Sequence, residues 1–487
     1  MIVIGAGFGG LAAALELAHS GARVTLFEAL KYPGGCASTF TRGGSRFESG
    51  ATLFSGFGEG QLFHRWIAER RLPVRFVPLD PVVELRAPGW TLAIPPQREA
   101  LVDRLCALPG APVAALRGFF EEQRRIADTL WGLFDEPALL PPFGVRALLA
   151  HVGRTPRYLP LLRWIGRPLR DVLVAHRVDG FAPLRLYVDA VSQITVQTRA
   201  DEAEACFALA TMDYYFRGTG HVAGGIGELA GALLDAIRAA GADVHLATRV
   251  QSIAPDARED GGWTVETRAG KTAARALVAN LLPHDVRRLA RLEVGRSPTL
   301  DRLARRVETG WGAAMLYLVV GADAAPPGPH HLELVADPTR PFVEGNHLFC
   351  SISGEDEQRA PAGRRTVTIS THVPIDPARD DAAYFAAVHD TMRATLRRLA
   401  PELLDGAERT MTASPRTFDR FTGRARGYVG GVPRRAGLEN YRDLFPVEPL
   451  PGLHLVGDTV FPGQSTLATA LGGVKLAQSL RKSLAER

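Results

Sequence analysis

Lysine is nearly missing from this chain. Lys31, Lys271, Lys475 and Lys482 are the only four in 487 residues, so arginine carries almost all positive charge. A GC-rich coding sequence would produce that bias without any chemical reason. Cysteine is as sparse: Cys36, Cys106, Cys206 and Cys350 lie far apart and form no CxxC pair. That excludes a zinc knot and a disulfide framework, and it fits a reducing compartment. No run of 18 uninterrupted apolar residues occurs, so no spanning helix is expected. There is no internal repeat, no low-complexity linker, no Ser-His-Asp pattern and no metal-ligand spacing. What remains is ordinary for a globular protein, with 46 % hydrophobic and 22 % charged residues. Disorder, collagen and coiled coil are excluded, and the length suits two or three domains with a large core.

The net charge of +5 is unevenly placed. The stretch 146–177, bounded by Arg146 and Arg177, holds seven arginines and one acid, Asp171, a local excess of six. The remainder of the chain is therefore slightly acidic, and a general nucleic-acid coat is excluded. Trp164, Tyr158 and several leucines accompany these arginines. Basic and aromatic residues mixed with leucine suit an anionic membrane surface. A solvated helix face is the plainer alternative.

Residues 1–20 are apolar but lack a positive leader and are broken by glycines, so they do not read as a signal peptide. They read instead as a short strand, 2–4, then Gly5-x-Gly7-x-x-Gly10, then a helix to about residue 19. Gly5 permits the turn, Gly7 lets the backbone approach a pyrophosphate, and Gly10 lets helix and strand pack closely. The helix amino terminus attracts the phosphate charge. A second strand, 23–27, ends at Glu28, 23 residues beyond Gly5 and well placed for ribose hydroxyls. Together these predict a bound dinucleotide but do not separate NAD from FAD.

Three further elements bear on that choice. Tyr32-Pro33-Gly34-Gly35-Cys36-Ala37 follows Glu28, and Phe47-Glu48-Ser49-Gly50-Ala51 comes next. Near the far end an apolar strand, 453–456, runs into Gly457-Asp458, then Phe461-Pro462-Gly463-Gln464 and a small-residue helix, 466–480, that contains Gly472-Gly473. Between them Gly224-Gly225-Ile226-Gly227 opens an amphipathic helix. Strands 244–246, 263–267 and 276–280 follow, with a turn-rich segment 256–262 between. On these residues the chain resembles the flavoprotein group of amine oxidases, phytoene desaturases and carotenoid isomerases. The resemblance implies FAD held by Gly5, Gly7, Gly10, Glu28, Gly34, Gly35, Gly50, Ala51, Val250, Gly457, Asp458, Gly463, Thr466 and Leu467. Val250 would pair its backbone with adenine. The helix from Thr466 would aim its amino terminus at the flavin carbonyl, where negative charge grows on reduction, and Gly472-Gly473 would let that helix lie close to the flavin.

The implied fold class is α/β: a discontinuous Rossmann-like FAD-binding domain of the glutathione-reductase and amine-oxidase type, with an inserted α+β substrate domain. The cofactor domain is expected over 1–75, 220–290 and 405–487. The substrate domain is expected over 76–219, read as short helices, and 291–404, read as a mixed sheet with helices.

Within that group the chain is most similar to the carotenoid isomerase and phytoene-dehydrogenase-related branch. Arg185-Leu186-Tyr187-Val188-Asp189, Asp213-Tyr214-Tyr215-Phe216-Arg217-Gly218, Pro329-His330-His331-Leu332, Ser414-Pro415-Arg416-Thr417 and Gly457-Asp458-Thr459-Val460-Phe461-Pro462-Gly463-Gln464 all resemble its segments. Ser465-Thr466-Leu467-Ala468-Thr469 departs from its GVIAVAF pattern at the flavin face. The resemblance implies desaturation or cis–trans isomerisation of a hydrophobic isoprenoid polyene in an apolar, tunnel-like pocket. The electron acceptor, quinone or oxygen, stays open, and cytoplasmic placement at the inner-membrane periphery is expected. Asp189, Asp213 and Arg416 are the candidate catalytic residues, with His330 a further polar candidate; adjacent histidines such as His330-His331 are usually just solvated. Two alternatives stay open: a flavin-dependent oxidase or saturase of another apolar substrate, and a prenyl-binding relative without enzymatic activity.

Overall fold

The computed structural model describes residues 1–50, 53–256 and 262–485. Among them six short strands form one sheet, in the order Val447–Leu450, Leu453–Leu455, Leu277–Ala279, Ile2–Ile4, Thr25–Phe27, Asp243–His245. Ile2–Ile4 pairs in parallel with Thr25–Phe27 and with Leu277–Ala279, which pairs in parallel with Leu453–Leu455. The two central strands, Ile2–Ile4 and Leu277–Ala279, are runs of three buried apolar residues without alternation, as required when both faces of a parallel sheet are covered. The helices Phe8–His19, Ile226–Ala239 and Thr466–Ala485 share one core with this sheet. The antiparallel Ser252–Pro255, Trp263–Thr267 and Gly270–Ala274 share the other core, through Ile253, Trp263 and Val265.

A second, seven-stranded sheet runs Ala407–Ala413, Trp311–Gly321, Arg364–Pro374, His347–Ile352, His330–Val335, Val83–Ala87, Trp90–Ile94. It is antiparallel except where His330–Val335 meets Val83–Ala87. The long strand Trp311–Gly321 shows why a sheet can serve two layers. Leu316, Leu318 and Val320 point to one face and pack with Phe385, Val388 and Met392 of the helix Ala382–Leu399. Met315, Tyr317 and Val319 point to the other and pack with Phe47 and Phe418. A third layer of helices, Val113–Asp135, Val145–Leu162, Leu169–Ala175, Ala182–Thr195 and Ala205–Thr211, closes over that second face.

The structure differs from the sequence reading in two places. The strand Ala407–Ala413 belongs to the seven-stranded sheet, so the last cofactor-layer segment starts beyond it and not at 405. The first insert is not built of short helices alone. Val113–Asp135 spans 23 residues, and Val83–Ala87 and Trp90–Ile94 extend the second sheet. The turn-rich segment 256–262 lies mostly outside the described residues.

Gly473 does not face the cofactor side. A Cβ there would collide with the Gly9 carbonyl and lie 2.8 Å from Ala12 Cβ, so the glycine lets two helices touch. Gly473→Val should therefore lower stability by about 1–3 kcal/mol or more through overpacking. Gly231, mid-helix with open space around it, should behave oppositely. Gly231→Ala should gain about 0.5–1 kcal/mol. Chemical denaturation midpoints of the two variants check both signs.

Candidate active site

The two glycine loops meet at one residue. Gly5 (φ +94°) and Gly457 (φ +113°) hold conformations that favour glycine, and a Cβ on either would lie within 3 Å of Asn280. Gly7 and Gly9 also face the Asn280 amide. Gly10 lies behind, where a Cβ would collide with the Gly5 carbonyl; it serves helix–strand packing. Gly34 donates its N–H to the Ala6 carbonyl (2.7 Å) and bridges Gly7, so the Pro33-Gly34-Gly35 turn rests on the first loop.

Glu28 is buried at the end of its strand. Its carboxylate accepts from the N–H groups of Ala6 (2.7 Å) and Leu30 (2.8 Å). Burial pushes its pKa up, while those donors and the nearby Arg249 pull it down. Asp458 accepts from Arg424 Nη2 (2.8 Å), whose Nε donates to the Tyr428 carbonyl. Burial raises the Cys36 thiol pKa beside them.

A cavity of about 610 Å³ runs along these groups. Gly5, Gly7, Glu28, Gly34, Gly35, Gly50, Val250, Gly457, Asp458 and Thr466 line it. Gly463 and Leu467 do not: Gly463 faces Arg434, and Leu467 packs on Gly56. Ala51 lies outside the described residues. Beyond Gly457 the cavity meets the first turn of the helix Thr466–Ala485, with Ser465, Thr466, Ala468 and Thr469 on its wall. Ser465 holds φ +92° where the resembled isomerase pattern has glycine, a strain of order 1–3 kcal/mol for a residue with a Cβ. The buried Thr466 hydroxyl has no hydrogen-bond partner among the described residues.

These features fit FAD. The glycine loops leave backbone bare where a pyrophosphate would pass, Glu28 would face the ribose, and a helix amino terminus with an unpartnered hydroxyl closes the row. Asn280 and Arg424 complete the wall, and the sequence reading missed both. A single Asn ending an apolar strand, and an Arg in a loop, leave no pattern to find.

The candidate catalytic residues are elsewhere, and none of them lines the cavity. Asp189 is buried among Arg185 Nε (2.9 Å), Arg199 Nη2 (2.9 Å) and the Ala200 N–H (2.8 Å). Asp213 is buried among Arg98, Gln123 Nε2 (2.8 Å) and Arg217 Nη2 (3.0 Å). Both carboxylates are engaged structurally: Asp189 ties its helix to the loop that follows it, and Asp213 joins helices. Arg416 is exposed and pairs with Asp380 (2.9 Å). His330 and His331 are buried, not solvated. As neighbours on one strand they point to opposite faces, so they cannot share a metal ion, and no cluster among the described residues could hold one. A titratable group that does reach the wall is His372, whose pKa burial lowers to about 3, with His347 adding to the effect.

Asp213→Asn should thus cost about 3–5 kcal/mol by breaking a buried ion cluster. The FAD content of the protein that folds should be unchanged. Urea titration and the visible flavin spectrum measure the two effects separately.

Residues 3–69 match the NAD(P)-binding Rossmann-like domain family. The chain is 25 % identical to the chloroplastic prolycopene isomerase of Arabidopsis thaliana, over 98 % of this chain and 81 % of that protein. It is 25 % identical to the neurosporene-forming phytoene desaturase of Rhodobacter capsulatus, over 98 % and 93 %. An oxidoreductase from Methanosarcina mazei superposes with a TM-score of 0.62 at 18 % identity, covering 99 % of both chains. Putrescine oxidase superposes with a TM-score of 0.62 at 16 % identity, covering 100 % of this chain and 98 % of that one. Over 98 % of its length the chain is thus similar to a prolycopene isomerase and a phytoene desaturase, and it has the fold of the solved oxidoreductases.

Proposed function

We propose that this enzyme uses FAD to desaturate or isomerise a hydrophobic isoprenoid polyene. The observation that carries the reading is the continuity of the cavity. Its cofactor end opens directly into a chamber walled by Phe54, Trp131, Phe134, Leu140, Ile194 and Phe207. A polyene offers no charged handle, so such walls hold it by shape and by excluding water.

FAD, when bound, supplies a two-electron carrier that takes or returns a hydride. The chain's own part is positioning. Met315 and Ser370 from the seven-stranded sheet and Thr195 and Val196 from the helical layer border the chamber on opposing sides. Tyr214 donates its hydroxyl to the Leu53 carbonyl (2.8 Å), so that proton is already committed. His372 stays neutral near pH 7, so its ring can hold a proton on only one nitrogen. A cationic amine fits this wall poorly. Glu28, Asp285 and Asp458 are already bonded to backbone N–H groups or arginines, and the other charged wall residues are arginines.

A membrane contact supports the same reading. The helix Val145–Leu162 turns an apolar stripe outward: Val145 (75 % exposed), Leu149 (68 %), Val152 (71 %), Leu159 and Leu162. Their spacing places them on one helical face. Arg146, Arg157 and Arg163 have no ion-pair partner among the described residues. Leu139, Leu140 and Phe143, just ahead of this helix, and His151 within it line the cavity. The stripe therefore lies next to the chamber, where a lipid-dissolved substrate would enter. Trp164 takes no part, being buried with its Nε1 donating to Glu122 (2.7 Å). No described helix is long and apolar enough to cross a membrane.

Two measurements test these statements. Holoenzyme incubated with phytoene and poly-cis-lycopene in liposomes should give a product two hydrogens lighter with a red-shifted spectrum, or an isomer of unchanged mass. No change with FAD demonstrably bound would remove these carotenes as substrates. Separately, sedimentation with anionic vesicles should exceed that with neutral ones, and Leu149→Glu with Val152→Glu should reduce it at least tenfold. Equal, negligible binding to both vesicle types would sink the membrane contact.

A further inference from the structure

Arg434 is out of place in an apolar chamber. It lines the cavity, with its guanidinium 5.1 Å from the Phe207 ring centre and Nη2 donating to the Pro462 carbonyl (3.2 Å). Among the described residues no carboxylate lies within ion-pair distance of it. The nearby acids are taken. Asp443 is held by Arg302 Nη2 (2.7 Å) and Arg306 Nη1 (3.4 Å). Glu204 accepts from Tyr441 Oη (2.7 Å), the Gly166 N–H (2.7 Å) and the Phe207 N–H (3.0 Å). The group thus holds three arginines against two carboxylates and lacks one negative charge. Burial, helped by Arg306, lowers the Arg434 pKa to about 10, which leaves it protonated near pH 7.

The cation is also fixed in place. Arg434 N–H donates to the Val196 carbonyl (3.0 Å), and its carbonyl accepts from the Glu204 N–H (2.8 Å). Gly463, at φ +110°, leaves room for the guanidinium where any side chain would collide with it. Arg434 is half-buried, and a cation held against apolar walls without a counter-ion is costly unless a ligand completes it. A carboxylate matches its forked donors.

We propose that Arg434 recognises an anionic end group, so that the preferred ligand is a polyene terminated by a carboxylate. This rests on the polyene reading of the chamber and narrows it. The rest of the chain lies against the apolar walls while one end is anchored, which fixes the bond presented to the cofactor.

The test uses FAD-loaded protein at pH 8 and two probes of equal length, all-trans-retinoic acid and its methyl ester. Dissociation constants come from quenching of intrinsic fluorescence. The wild type should bind the acid 10- to 100-fold more tightly than the ester, the range expected for a charge-assisted hydrogen bond. Arg434→Met should lose that preference while binding the ester within about twofold of wild type. Arg434→Lys should restore part of it, and its unchanged flavin spectrum would show that the site is intact. Equal binding of acid and ester by the wild type overturns the anchor and leaves the polyene reading standing. Binding of neither probe removes both. A shifted flavin reduction potential in ligand-free Arg434→Met, with the acid preference kept, would assign the cation to the cofactor and overturn the proposal.

Discussion

Everything in the cofactor layer depends on how closely three backbone segments approach at Asn280. The loop after the first strand, the end of the Leu277–Ala279 strand and the Gly457 turn meet with no side chain between them except that of Asn280. Such contact is available only to glycine or to very small groups, because any Cβ at Gly5, Gly7 or Gly457 would come closer than packed atoms allow. The bare backbone has two uses at once. It brings parallel strands from distant parts of the chain into one sheet, and it leaves N–H groups facing a ligand. Stability and cofactor binding share the same residues here, so neither can drift without the other.

The seven-stranded sheet solves a different problem, that of serving two masters with one strand. Alternation along Trp311–Gly321 sends Leu316 and Leu318 into a closed core and Met315 and Ala313 toward the chamber. The same rule separates His330 from His331. It also explains why adjacent polar residues in a strand are poor evidence of a shared site.

The cofactor half was legible in the sequence because its constraints are local. Positive φ demands glycine, a parallel strand buried on both faces demands an apolar run, and the ribose position follows the first loop at a near-fixed distance. The substrate half was not, because its chemistry is assembled from far apart. Asp189 and Asp213 resembled functional acids, yet their meaning depends on Arg199, Arg98 and Gln123. Arg199 folds back onto Asp189 from the loop after its helix, while Arg98 and Gln123 reach Asp213 from helices far away in the chain. Arg434 shows the reverse case. Nothing in its neighbourhood along the chain marks it, and its interest comes from which acids Arg302, Arg306 and Tyr441 have already claimed.

The order of strands in the parallel sheet has a consequence for how the protein is made. Leu453–Leu455 pairs with Leu277–Ala279, which pairs with Ile2–Ile4, so a sheet begun by the first residues is finished by nearly the last. A ribosome must release the chain through Leu455 before that strand can dock. Until then the glycine loops lack their Gly457 partner. Pairings this distant in sequence are slow to form, so the nascent chain carries an open sheet edge beside Leu277–Ala279 throughout synthesis. The wall around Asn280 is therefore completed only when the Gly457 turn has docked.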